Sequence, residues 1–160
     1  MALVDSLIIW IHLVATSIWV GGSIFIGIVV GPYLRNINMN PKERTIFIVN
    51  LGRRFNKIAL PSLFILFATG IYNARFFIIN GNLDSTYGII LIIKVILVIS
   101  MTLAYIIHVR VLWNRLEDNL DRYDQASIDK LRGKIINIGR LTVILSVVIL
   151  LLAAILDSGL

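Results

Sequence analysis

The chain has 160 residues, of which 58% are hydrophobic and only 15% charged, and its mean hydropathy is +0.90. A soluble domain runs nearer to about 45–50% apolar and about 25% charged, so part of the solvent is lipid. The composition excludes a soluble enzyme, a disordered tail and a secreted disulfide scaffold. There is no cysteine, which removes disulfides, thiolate metal sites and cysteine nucleophiles.

Four apolar spans follow in chain order: about Leu7 to Leu34, Ile58 to Ile79, Tyr87 to Trp113 and Ile135 to Leu156. Each exceeds the roughly 20 helical residues that cross a hydrocarbon core of about 30 Å. Backbone groups in lipid must be satisfied internally, and period-two alternation is absent. The expected fold is therefore all-α and integral to the membrane, a single four-helix transmembrane bundle over residues 1–160. The N-terminal stretch lacks the basic region of a cleavable signal peptide, so the first span reads as retained. Asn40-Pro41 marks the clearest turn of the first connection, Arg35 to Lys57. The third helix is expected to run past Trp113, with a turn near Tyr123 to Ser127 and Ser127 as an N-cap. A basic run, Arg54-Phe-Asn-Lys57, resembles Arg132-Gly-Lys134, a hint of an internal duplication.

Orientation follows from Lys and Arg. The first and third connections carry six each; the second carries only Arg75, and the termini carry none. Twelve against one places those two connections in the cytoplasm and both termini outside. The net charge of +6 is thus a topology signal rather than a nucleic-acid footprint. The chain reads as a multi-pass protein of the cell membrane, with no nucleic-acid partner.

Ionisable residues at membrane depth are the informative ones. A Lys at the centre of a membrane helix costs about 2.5–3.5 kcal/mol, unless it snorkels outward. His12 lies five residues past Leu7 and Lys94 seven past Tyr87, so both are expected roughly 8–11 Å below the outer boundary. His108 lies about 21 Å deeper than Lys94, near the cytoplasmic boundary, where a hydrogen bond to a headgroup, the neighbours of Tyr105 or the third connection would satisfy it. Lys94, Met101 and His108 form a heptad stripe flanked by Tyr105. His12, Thr16, Trp19 and Ser23 share a face of the first helix at spacings of 4, 3 and 4. Ser23, Gly27 and Gly31 follow the small-xxx-small pattern of close helix packing, and Gly21-Gly22 adds a second flat patch. Asp5, Arg75, Asp84 and Asp157 lie where they can close an outer rim.

These residues carry a resemblance. His12 followed by Trp19-Val-Gly21-Gly22 resembles the H…WxGG signature of the copper-resistance D (CopD) membrane family. Tyr87-Gly88-Ile-Ile-Leu-Ile-Ile-Lys94 resembles its YGxxLxxK segment, and Ala68-Thr69-Gly70 its middle helix. A more distant resemblance is to HemJ-type protoporphyrinogen oxidases, in which a first-helix His and a third-helix Lys are functional; His12 and Lys94 fall on those positions.

The resemblance implies copper handling, or an accessory role in a larger membrane complex. The alternative is a haem b-binding oxidoreductase, with His12 as axial ligand. The candidate cofactor-binding residues are His12, Lys94, Trp19 and Tyr87, and His12 is the candidate metal ligand, for copper or haem b. Cuprous sites favour Cys and Met, so copper would need further donors from a partner chain. The expected partners are the lipid bilayer and other membrane subunits or further copies of the chain.

Overall fold

The computed structural model describes residues 2–81, 84–117 and 125–158. These form four long helices, with no strand among the described residues. The first, α1, covers residues 2–36. It is α-helical over Ala2–Thr16, Gly22–Ile24 and Gly31–Asn36, and π-helical over Ser17–Gly21 and Phe25–Val30. Side-chain bonds to the backbone accompany the widened turns. The hydroxyls of Thr16, Ser17 and Ser23 donate back to the carbonyls of His12, Leu13 and Trp19 at 2.7, 2.9 and 2.7 Å. Such bonds compete with the amide ladder. Pro32 then withholds the amide that would continue it.

The second helix, α2, is Pro41–Asn80. Asn40 caps it, its side chain accepting from the Lys42 amide at 3.2 Å, and Pro41 occupies the first turn. The turn at Asn40-Pro41 is therefore present. The first connection, however, is not a loop to Lys57, because the helix begins seventeen residues before Ile58. Lys42, Glu43, Arg44, Arg53 and Arg54 are good helix formers, and no proline separates them from the apolar stretch. Charge ends a membrane span without ending a helix. At 40 residues α2 is about 60 Å long, twice the hydrocarbon thickness of about 30 Å. Pro61 lies inside it, and the neighbouring Ser62 hydroxyl donates to the Ile58 carbonyl at 2.9 Å. Gly81 closes the helix, its amide donating to the Phe77 carbonyl at 2.7 Å.

The third helix, α3, is Thr86–Glu117, and the fourth, α4, is Gln125–Asp157. Ser85 stands before α3, its hydroxyl accepting from the Gly88 amide at 3.1 Å. As expected, α3 passes Trp113. Ser127 is not an N-cap, because α4 already runs from Gln125; residues 118–124, most of the connection, lie outside the described residues. Four stretches are long and apolar enough to cross a membrane: Leu3–Asn36, Lys42–Arg75, Thr86–Arg110 and Gly133–Asp157. The chain is a multi-pass, all-helical membrane protein.

It divides into two compact units, Met1–Gly88 and Ile89–Leu160. In the first, Asp5 meets Arg75, His12 meets Thr69 and Gly22 meets Phe55. Numbers fall along α2 as they rise along α1, the signature of an antiparallel hairpin. In the second, Met101 meets Ser146 and His108 meets Gly139. Seven residues forward on α3 are seven back on α4, again an antiparallel hairpin. The close approach in the first hairpin falls at Gly22, where a methyl would overlap the Phe55 ring, and not at Gly27, around which a methyl would meet nothing. The small-residue stripe Ser23-Gly27-Gly31 therefore does not mark the α1–α2 seam.

Candidate functional site

The first hairpin is bridged by polar groups at two levels. At the level of Asp5, one carboxylate oxygen, Oδ1, accepts from Arg75 Nη2 at 2.6 Å and from the Tyr72 hydroxyl at 3.0 Å. The Arg75 guanidinium lies 3.6 Å from the Tyr72 ring centroid, and its Nη1 donates to the Tyr72 carbonyl at 2.8 Å. The Arg75 and Asp5 side chains are part-exposed, at 39% and 37%. The rim expected from Asp5 and Arg75 is thus a latch between the two helices.

Two turns further along α1 stands His12. Its Nδ1 lies 2.7 Å from the Thr69 hydroxyl oxygen. Thr69 itself donates to the Ile65 carbonyl at 2.6 Å. A methyl placed on Gly70 would sit 3.8 Å from His12 Cε1, so the imidazole rests on the part of α2 that carries no side chain. Thr16 follows His12 on the same face, and its hydroxyl holds the His12 carbonyl at 2.7 Å. Trp19 is 2% exposed and packed inside, within the first π-helical stretch.

Of the remaining expected residues, Tyr87 belongs to the first unit, with its ring 4.9 Å from that of Phe77 and tilted by 43°. Lys94 is a half-buried residue of α3 in the second unit. The heptad stripe on α3 turns Met101 and Tyr105 inward, at 4% and 7% exposure. Ser146 lies 3.2 Å from the Met101 sulfur and also donates to the Thr142 carbonyl at 2.8 Å. His108 is held against Gly139, and its Nδ1 is buried with no hydrogen-bond partner among the described residues. The hydrogen bond expected for that ring is not made at Nδ1.

The sequence reading missed Thr69 and Tyr72 as partners. A signal was available. Once Asp5 and Arg75 are paired at one end, seven residues on from Asp5 and six back from Arg75 arrive at His12 and Thr69. Among the described residues no group of three or more His, Asp or Glu side chains could hold a metal ion.

The model of the family described as copper resistance protein D (CopD) matches residues 49–156, more than half of the chain. That stretch contains Thr69, Gly70, Tyr72, Arg75, Tyr87, Lys94 and His108, and leaves His12 outside. An uncharacterized protein of Aquifex aeolicus (strain VF5) is 35% identical over 83 residues, which are 51% of this chain and 54% of that relative. The chain thus spans about half the length of that curated relative. No solved structure matches it. With the family model covering most of α2 and the membrane stretches of α3 and α4, the chain belongs to the copper resistance protein D family.

Proposed function

We propose that this protein is a copper-handling membrane subunit in which His12 offers an imidazole nitrogen to a cuprous ion passing through as cargo. One observation carries the reading: His12, outside the family-matched stretch, is docked through Nδ1 and Cε1 onto Thr69 and Gly70 inside it. The Lys and Arg bias supports an orientation with both termini outside the cell membrane, which puts the His12 layer in the outer leaflet. A single imidazole does not complete a copper site. Further donors then come from another membrane subunit or a second copy of the chain.

The test is copper binding by the purified full-length protein in detergent, under reducing conditions. Retained cuprous ion is expected with the wild-type protein and none with His12→Ala. A wild-type protein that retains no copper, or a His12→Ala protein that retains as much, would overturn the reading. A haem b-binding oxidoreductase is the second reading. The donor set favours it in one respect, because a porphyrin brings four nitrogens and asks the protein for one or two axial ligands. A Soret band in the purified protein that disappears in His12→Ala would select this reading; a colourless protein with bound copper would select the first.

A further inference from the structure

We propose that Thr69 is a positioning residue that fixes His12 in one tautomer, with the proton on Nδ1 and the lone pair on Nε2. The consequence for metal affinity rests on the copper reading; the tautomer itself does not.

The argument is a proton count. A threonine hydroxyl has one proton and two lone pairs. The Thr69 hydroxyl oxygen lies 2.6 Å from the Ile65 carbonyl and 3.4 Å from that of Leu66. A carbonyl only accepts. Two oxygens at 2.6 Å without a proton between them would set lone pair against lone pair, at a separation shorter than the common O–H···O length of about 2.7–2.8 Å. The single proton of Thr69 is therefore spent inside α2. What remains on that oxygen is acceptor capacity, and His12 Nδ1 approaches it at 2.7 Å. The proton of this second bond comes from the imidazole. A neutral ring with its proton on Nδ1 has its lone pair on Nε2.

The surroundings hold the ring as well as its proton. Gly70 admits the Cε1 edge, and Nε2 lies across the ring from the Thr69 hydroxyl. A metal-ligating histidine typically donates its other N–H to an oxygen, which fixes its tautomer and raises its basicity, and loss of such a partner costs about 10–100-fold in metal affinity. Here the oxygen is a hydroxyl whose own proton is anchored one helical turn away, so it cannot reverse roles without breaking the bond to Ile65.

The experiment uses full-length protein in detergent, labelled with nitrogen-15 at histidine and free of metal, at about pH 8, where a histidine of ordinary pKa near 6.5 is neutral. The chain has two histidines, and His12→Ala assigns the spectrum. Long-range proton–nitrogen correlations then report which nitrogen bears hydrogen. The expected wild-type pattern has hydrogen on Nδ1 of His12. Thr69→Ser, which keeps the oxygen, preserves it. Thr69→Val, which keeps the shape and removes the acceptor, shifts it toward Nε2–H and weakens cuprous binding about 10–100-fold. Hydrogen on Nε2 in the wild-type protein, or an unchanged pattern in Thr69→Val, would overturn the proposal. The wild-type spectrum decides alone if the valine variant fails to fold. Hydrogen on Nδ1 in a protein that retains no copper would uphold the tautomer and defeat the copper reading, so the two failures are distinct.

Discussion

The two hairpins are joined by different chemistry. Between α1 and α2 the links are directional: a carboxylate to a guanidinium and a phenol, and an imidazole to a hydroxyl. Between α3 and α4 they are soft: a thioether beside a serine hydroxyl, and an imidazole edge against a glycine. Directional bonds fix the angle and proton of each side chain they join, which a ligand site needs. A methionine seam adapts to what it touches and fixes little. The described links of the first hairpin thus hold polar side chains in place, and those of the second adapt to their neighbours.

The largest effect that would break this contrast concerns ligand binding. His12→Ala is expected to abolish copper retention, and Ser146→Ala, in the second seam, to leave it unchanged. Metal analysis of the purified variants measures this. Equal losses from the two variants would erase the contrast between the hairpins.

Packing comes next. Gly22→Ala drives a methyl into the Phe55 ring and is expected to cost about 1–2 kcal/mol, as overpacking does. Gly27→Ala meets open space and is expected to be neutral or to stabilise by up to about 1 kcal/mol, since alanine orders more cheaply in a helix. Thermal unfolding in detergent compares the two. Equal effects would mean that the hairpin does not close at Gly22.

The latch is worth less. Arg75→Leu removes an ion pair and a cation–π contact together, and a fall in thermal stability smaller than that of Gly22→Ala is expected. Raised salt should shrink the difference between variant and wild type, because exposed pairs are screened. The smallest effect belongs to the second seam. Ser146→Ala removes one hydroxyl between membrane helices and is expected to cost about 0.6 kcal/mol, the usual size for such groups. A loss above that of Arg75→Leu would invert the ranking of the two seams.

How far the sequence disclosed this can be judged residue by residue. The four spans were legible because apolar length is a property of composition, and the bilayer imposes it. The start of α2 was not, because Lys42 to Lys57 reads as a charged connection while its residues favour helix. The start of α4 was nearly legible, since Ser127 was read as its cap and the helix begins at Gln125. His12 was legible as an isolated polar group in an apolar span. Its partner was not, because Thr69 is one of many membrane hydroxyls that satisfy themselves on their own helix, and only the hairpin register singles it out. Asp5 and Arg75 were legible as charges at one end, but not as a pair. The stripe of Ser23, Gly27 and Gly31 states where a helix can be approached, not which partner approaches it.

The π-helical stretches of α1 have a consequence for how the chain tolerates change in length. A π turn closes over one residue more than an α turn, so Ser17–Gly21 and Phe25–Val30 act as reserves of chain. Deleting one residue from either could be absorbed by the backbone as ordinary helix. The angular phase would be kept as well, because a π turn spreads one turn over its extra residue and the loss of that residue leaves an ordinary α turn. His12 precedes both stretches, and Leu34, 2% exposed, follows them. A single deletion there would thus leave His12 facing α2 and Leu34 buried, whereas a deletion within the α-helical Ala2–Thr16 would turn the residues before it by about 100° against those after it. The widened turns are slack in the helix, and single deletions at residues 17–30 should be silent both for insertion into the membrane and for the contact of the imidazole with α2.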